Sequence, residues 1–256
     1  MALSYVRITP GLACRTRLVM TDVDGTLTSA DDTIGAPVLQ AVHALEESGI
    51  RVGLISGRTL PGLESLARRL QTSGPIIAEN GAVAMMRPGG QPIDFGYSRR
   101  PALDALERLK ALFPGAITER EDNARRLVDV VLWSDGVDTD ILRQHLGDVQ
   151  LVDSGYIMHL MPAGISKGAT LVRLLGSIGD GPLSPEEVMV FGDSATDASL
   201  FDLFPFSVLV PNPGLPPALT RDVRRTARYV AGAPLGEGFV QVARHIVEAR
   251  ARPPHD

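Results

Sequence analysis

Two aspartates two residues apart stand directly before a glycine in Asp22-Val23-Asp24-Gly25-Thr26-Leu27-Thr28. Such a pair can divide a group transfer, one carboxylate attacking as nucleophile and the other moving the proton. The same residues also make an ordinary turn capping the next helix. Ser56, in Leu54-Ile55-Ser56-Gly57-Arg58, offers a hydroxyl beside the free N–H groups of a helix start, which is either an anion site or an N-cap. Its spacing is not the G-x-S-x-G of a hydrolase nucleophile elbow. Lys167, in Ile165-Ser166-Lys167-Gly168, opens a helix, where a cation is disfavoured unless it faces anions. No phosphate-binding G-x-x-x-x-G-K-[ST] loop surrounds it. Asp193 and Asp197, in Phe191-Gly192-Asp193-Ser194-Ala195-Thr196-Asp197, are hard oxygen donors of the kind Mg²⁺ takes, although helix capping would use the same residues.

The elements that must carry these residues are legible as apolar runs alternating with helical periodicity. Leu18–Thr21, Arg51–Ile55, Pro75–Ala78, Val188–Phe191 and Phe206–Val210 read as buried strands. Ala36–Ser48, Leu60–Leu70, Ser166–Ser177, Ala195–Leu203 and Gly238–Ala251 read as helices. That alternation predicts an α/β fold with a parallel sheet. Ligands of such sheets bind beyond the carboxyl ends of the strands, where Asp22, Asp24, Ser56, Gly57, Asp193 and Asp197 all fall. Two Asp, then Ser, then Lys, then two Asp is more than capping requires; one phosphoryl-transfer site accounts for the whole set.

Residues 84–161 read differently. Met85-Met86 and Ile93-Asp94-Phe95 flank the turn Arg87-Pro88-Gly89-Gly90-Gln91-Pro92, predicting a hairpin. A helix over Pro101–Phe113, a strand over Arg126–Leu132, a helix over Asp138–Leu146 and strands over Val149–Val152 and Tyr156–Leu160 complete a small α+β insert. The expected organisation is therefore a core of residues 1–83 and 162–256 with the insert 84–161 between its halves.

The 256 residues are 44% hydrophobic and 21% charged, with a formal charge of −5. That balance argues against a general nucleic-acid or membrane-surface role. A single cysteine, Cys14, excludes an internal disulfide framework and Cys-rich metal sites. No apolar run approaches a membrane span, and the first residues lack a clear signal-peptide pattern, so a cytoplasmic protein is expected, as monomer or homodimer. The histidines show no H-E-x-x-H spacing, which argues against zinc hydrolysis. The basic stretch Arg221–Arg228 reads as a solvated helix face.

Taken in order, Asp22-Val23-Asp24-Gly25-Thr26, Ser56, Lys167 and Gly192-Asp193-Ser194-Ala195-Thr196-Asp197 resemble the four motifs of the haloacid-dehalogenase-like phosphatases. The insert after the third core strand, re-entering through Met161-Pro162-Ala163-Gly164-Ile165-Ser166-Lys167-Gly168, is similar to the Cof-type branch. The first motif and Gly74-Pro75-Ile76-Ile77-Ala78-Glu79-Asn80-Gly81-Ala82 look most like its phosphoglycolate phosphatases, with sucrose-phosphate and mannosyl-3-phosphoglycerate phosphatases as neighbours. The resemblance implies a Rossmann-like core with an α+β cap. It implies Asp22 as nucleophile through an aspartyl phosphate, and Asp24 as general acid and base. Ser56, Gly57 and Lys167 would hold phosphate, and Mg²⁺ would sit on Asp22, the Asp24 carbonyl, Asp193 and Asp197. The substrate implied is a small phosphomonoester of the sugar-phosphate, phosphoglycolate or glycosyl-3-phosphoglycerate type. A phosphomutase of the same superfamily and a non-catalytic regulatory descendant are the rival readings. Candidate readers of the leaving group are Tyr97, Arg99, Arg100, Arg125, Arg126 and His159 in the cap, with Glu79 and Asn80 at its junction with the core. One departure is Thr196, where that branch carries Asn.

Overall fold

A computed structural model describes residues 2–155, 157–178, 181–221 and 223–252 of the chain. The larger sheet takes β1 (Leu3–Ser4), β2 (Leu18–Thr21), β3 (Arg51–Ile55), β4 (Ile76–Ala78), β5 (Val83–Met85) and β6 (Pro92–Ile93) from the first part of the chain. The smaller takes β7 (Ile117–Glu119), β8 (Val130–Ser134), β9 (Val149–Asp153) and β10 (Met158–Pro162). The chain then returns to the larger sheet with β11 (Val188–Gly192), β12 (Phe206–Leu209) and β13 (Tyr229–Val230). Among the described residues the larger sheet runs β1-β13-β12-β11-β2-β3-β4-β5-β6. It is parallel as far as β4 and antiparallel at β5 and β6.

The inner strands of this sheet read as nearly unbroken apolar runs because both faces are covered. Val19, Met189 and Phe191 join one core layer with the helices α1 (Pro10–Arg15), α2 (Ala36–Glu47), α3 (Leu60–Leu70) and, at the far end of the chain, Leu235–Arg250. Leu18, Met20 and Val190 face the other way, against the helices Lys167–Leu174 and Ala198–Leu203. On α2 the buried Val38, Ala41, Val42 and Leu45 keep the i, i+3, i+4, i+7 spacing of a helix with one apolar face.

The hairpin expected in the insert belongs instead to the larger sheet, as its antiparallel edge: Ile76 pairs with Met85 and Ala84 with Ile93. The smaller sheet has the order β7-β8-β10-β9 and packs α4 (Arg100–Leu112) and α5 (Thr139–Arg143) on one face through Leu106, Leu132 and Leu160. Alternation along β8 and β10 then turns Val131 and His159 to the other face, toward the core. The strand expected over Arg126–Leu132 begins only at Val130, because the N–H groups of Leu127, Val128 and Asp129 bond the Glu79 carboxylate rather than a neighbouring strand. The strand expected to begin at Tyr156 is seen over Met158–Pro162, and residue 156 lies outside the described residues.

Two helix starts also differ from expectation. Residues 195–197 form a single 3-10 turn before the helix at Ala198, since the Asp197 side chain takes the N–H groups of Asp193 and Ser194. The last helix begins at Leu235, three residues before the expected Gly238. Its small first-turn residues let it approach the loop after β2, a Cβ on Gly236 meeting the Leu27 carbonyl oxygen at 2.7 Å. The core segments on either side of β5 to β10 meet: the Thr170 hydroxyl donates to the Gly81 carbonyl at 2.6 Å, and a Cβ on Gly81 would lie 2.5 Å from the Ser166 carbonyl oxygen.

Candidate active site

Strand order brings the chemistry together. β2 is flanked by β3 and β11, the point where the chain, having built one side of the sheet, crosses to build the other. Thr21 on β2 pairs with Leu54 on β3 and Phe191 on β11, so Asp22, Ser56 and Asp193 emerge side by side at the carboxyl ends. The Asp22 N–H donates to the Phe191 carbonyl at 3.0 Å. Gly25 turns the chain away at φ +81°, with the Thr28 hydroxyl accepting its N–H at 2.9 Å. A side chain there would collide with Asp193 and Asn212, so the site requires a glycine at this position.

Asp22, Asp193 and Asp197 offer carboxylate oxygens that all lie within 4.8 Å of one another. Lys167 enters among them, its Nζ 2.6 Å from Asp22 Oδ1 and 2.7 Å from Asp197 Oδ1. Ser166 caps its helix by accepting the Ala169 N–H, which fixes the lysine in the first turn. The anions around it answer the misplaced charge: burial lowers the Lys167 ammonium, but Asp197 and Asp22 outweigh that and raise it. Asp22 is pushed well above the carboxylate range, first by burial, with Asp197 and Asp193 opposing the help of Lys167. Asp193 is pushed up to about 7, first by burial and then by Asp197; its partner is the Asn212 amide, which donates at 2.6 Å. One buried ammonium thus serves three carboxylates, and a hard divalent cation fits this all-oxygen donor set. Asp197 spends one oxygen on Lys167 and the other on the N–H groups of Asp193 and Ser194, so it organises the loop. Thr196 turns its hydroxyl to Lys167 at 3.3 Å and Ser194 at 2.9 Å.

Asp24 points elsewhere. Its carboxylate meets Arg58 in a two-pronged pair, Nε to Oδ2 at 3.0 Å and Nη2 to Oδ1 at 2.5 Å. Ser56 is buried, its hydroxyl accepting the Arg58 N–H at 3.2 Å and its carbonyl accepting the Asn80 N–H at 3.1 Å.

Above this floor lies a cavity of about 430 Å³ reaching from the acidic centre to the smaller sheet. Its upper wall is a buried charge chain. Arg126 donates to the Gly57 carbonyl at 2.9 Å, to both Asp129 oxygens and to Asp122. Asp129 in turn bonds His159 Nδ1 at 2.7 Å. Burial raises the Asp129 carboxyl, but the His159 hydrogen bond and the neighbouring Arg126 charge outweigh it and hold the group below its usual value. Glu79 is fully buried; burial and then Asp129 raise its carboxyl, while the N–H groups of residues 127–129 work against them.

The cavity therefore brings together Asp22, Asp24, Ser56, Gly57, Asn80, Arg126, His159, Lys167 and Asp193 of the residues expected from sequence. It does not bring Arg99, which donates to the Asn123 carbonyl, Arg100, which pairs with Asp104 on the surface, Tyr97, which bonds Arg173, or the exposed Arg125. Arg58, Arg120, Asp122, Asp129 and Asn212 were not singled out in the sequence. Only Arg58 had a signal there, lying two residues after Ser56 at a strand end.

The family model of the haloacid dehalogenase-like hydrolases matches residues 19–123 and 118–214. The phosphoglycolate phosphatase of Methanoculleus marisnigri is 31% identical over 241 residues, covering 89% of this chain and 95% of that protein. That of Methanospirillum hungatei is 30% identical over 232 residues, with 89% and 95% covered. A solved structure from Thermoplasma acidophilum superposes with a TM-score of 0.78 at 26% identity, over 90% of this chain and 98% of that one. Fold, strand-end acids and sequence agree over nearly the whole length, and the chain belongs to the haloacid dehalogenase-like hydrolase family.

Proposed function

We propose that the chain is a Mg²⁺-dependent phosphatase that hydrolyses small phosphomonoesters, of the sugar-phosphate, phosphoglycolate or glycosyl-3-phosphoglycerate type, through an aspartyl phosphate on Asp22. The chain is a phosphoric monoester hydrolase, and the names of its relatives support that class. The observation that carries the mechanism is the meeting of Asp22, Asp193 and Asp197 around Lys167 beside Ser56.

An Asp22 oxygen attacks phosphorus; the bond to the leaving oxygen breaks, and Asp24 protonates that oxygen. Asp24 then takes a proton from water, the hydroxide attacks the same phosphorus, and phosphate leaves with Asp22 restored. Ser56, the Gly57 N–H and Lys167 hold the phosphoryl oxygens in line for both displacements. Asp22, the Asp24 carbonyl and Asp193 would hold Mg²⁺, with Asp197 fixing their loop. The ion supplies positive charge against the phosphoryl oxygens and relieves the crowding that raises Asp22 and Asp193.

Purified protein is expected to release phosphate from p-nitrophenyl phosphate with Mg²⁺, to stop on chelation, and to lose the activity in Asp22→Asn. Release by Asp22→Asn at the unaltered rate overturns the aspartyl-phosphate route.

A further inference from the structure

Arg126 lies in the segment leading into β8 of the smaller sheet, and its side chain is almost wholly buried. Two of its partners, Asp122 and Asp129, are carboxylates of the same segment. The third, the Gly57 carbonyl at 2.9 Å from Nη1, belongs to the loop after β3. Burying a guanidinium to meet an uncharged oxygen makes little sense by itself, and the reason lies in what that oxygen belongs to. The Gly57 carbonyl and the Arg58 N–H are the two ends of one peptide, and that N–H donates to the Ser56 hydroxyl at 3.2 Å. Arg126 and Ser56 therefore hold the peptide at both ends.

The next peptide is tied to the same segment. The Arg58 carbonyl accepts the Glu79 N–H at 3.0 Å, and the Glu79 carboxylate accepts the N–H groups of Leu127, Val128 and Asp129. Both peptides flanking the Arg58 Cα thus lead to residues 126–129, one through the Arg126 side chain and the other through Glu79. From that backbone the Arg58 guanidinium reaches Asp24, with Nε on Oδ2 and Nη2 on Oδ1. The smaller sheet sets the backbone of the residue that grips the carboxylate proposed to move the proton.

We infer that Arg126 is a positioning residue for proton transfer: through the Gly57–Arg58 peptide it sets Arg58, and through Arg58 it sets Asp24 against the leaving oxygen. The inference rests on the phosphatase reading above and gives Arg126 a part in its first displacement without contact with the substrate. Arg126 Nε is buried without a partner among the described residues, so the test also separates positioning from a substrate contact at that nitrogen.

The test compares propyl phosphate with p-nitrophenyl phosphate, both with Mg²⁺. A propyl alkoxide is a poor leaving group until it is protonated, whereas nitrophenolate departs as the anion, so Asp24 matters far more to the first ester. The propyl group carries nothing polar beyond the leaving oxygen for Nε to bind. Reading kcat/KM confines the comparison to the steps up to release of the alcohol. Arg126→Lys keeps a charge beside Asp129 but loses the planar fork that spans Gly57 and Asp122. It is expected to lower kcat/KM for propyl phosphate about tenfold or more, while p-nitrophenyl phosphate stays within about threefold of wild type and certifies the fold. Asp122→Asn leaves Arg126 in place but loosens it, is expected to move the ratio in the same direction by less, and decides the question if Arg126→Lys does not fold. In an Arg58→Met background, Arg126→Lys is expected to lower the propyl-to-nitrophenyl ratio no further, because the two residues act along one path. Equal losses on both esters, an unmoved ratio, or losses that multiply in the double variant overturn the inference while leaving the phosphatase reading intact. Failure of the wild type to release phosphate from either ester overturns both.

Discussion

Arg58 holds Asp24 by both of its nearer nitrogens, Nε on one carboxylate oxygen and Nη2 on the other. The pair is half open to solvent, so its contribution to stability is about 1 kcal/mol or less. Its effect on orientation is larger, since a proton-transferring group displaced by an ångström can cost about a hundredfold in rate. Arg58→Met is therefore expected to lower kcat about 10–100-fold with a Tm close to wild type. Arg58→Lys recovers only part of the loss, because an ammonium cannot grip both oxygens. Steady-state kinetics beside thermal melts check this, and a kcat within twofold of wild type refutes it.

Asp22→Asn separates activity from stability. Loss of the proposed nucleophile is expected to reduce kcat at least about a thousandfold. Asp22 is held well above its ordinary range by burial and its neighbouring acids, so the neutral amide relieves crowding and Lys167 keeps Asp197. Metal-free Asp22→Asn should melt at or above the wild-type temperature; a melting point several degrees lower would show that the carboxylate is a net structural asset.

Asp193 sets a pH dependence. Its folded pKa of about 7 lies above the ~3.9 of an unfolded chain, so the folded state binds the proton more tightly. The stabilisation is fully present below about pH 4 and is lost as pH rises through 7. Metal-free protein should lose Tm over that window. Mg²⁺ should raise Tm more at pH 8 than at pH 5, because the ion competes with the proton for the same carboxylate. Melts with and without Mg²⁺ at the two pH values measure it, and Asp193→Asn is expected to flatten the difference.

Glu79→Gln tests the grip on the cap. Two carboxylate oxygens accept the N–H groups of Leu127, Val128 and Asp129, and an amide offers only one acceptor and turns an NH₂ toward the rest. Leaving a buried donor unpaired is expected to cost about 1–3 kcal/mol, read as a lower urea midpoint at unchanged m-value. An unchanged midpoint means that the grip contributes nothing.

Much of the core was legible because its inner strands are buried on both faces, and three of them lead into Asp22, Ser56 and Asp193, whose types make little sense as packing. Asp22, Ser56 and Asp193 could be aligned once a parallel sheet was inferred, since parallel register carries strand ends to one edge. The cap was less readable. Arg125 and Arg126 are adjacent, yet one is exposed and the other almost wholly buried. Which of the two turns inward is settled by Glu79, some fifty residues earlier, when it binds the following N–H groups. Asp129 was hidden for the same reason, appearing as one charge in an alternating strand. Asn212 reaches Asp193 from a loop with no local pattern to mark it.

The meeting of Gly81 with Ser166 and Thr170 has a consequence for how such a molecule can change over generations. Apart from the edge hairpin β5–β6, which stays in the larger sheet, the chain between those positions lies outside the core, and its two flanks are tied by a backbone contact and a 2.6 Å hydrogen bond. The closure entropy of what lies between grows only slowly with its length. The insert can therefore be lengthened or shortened at little entropic cost to the strand ends that carry Asp22 and Asp193.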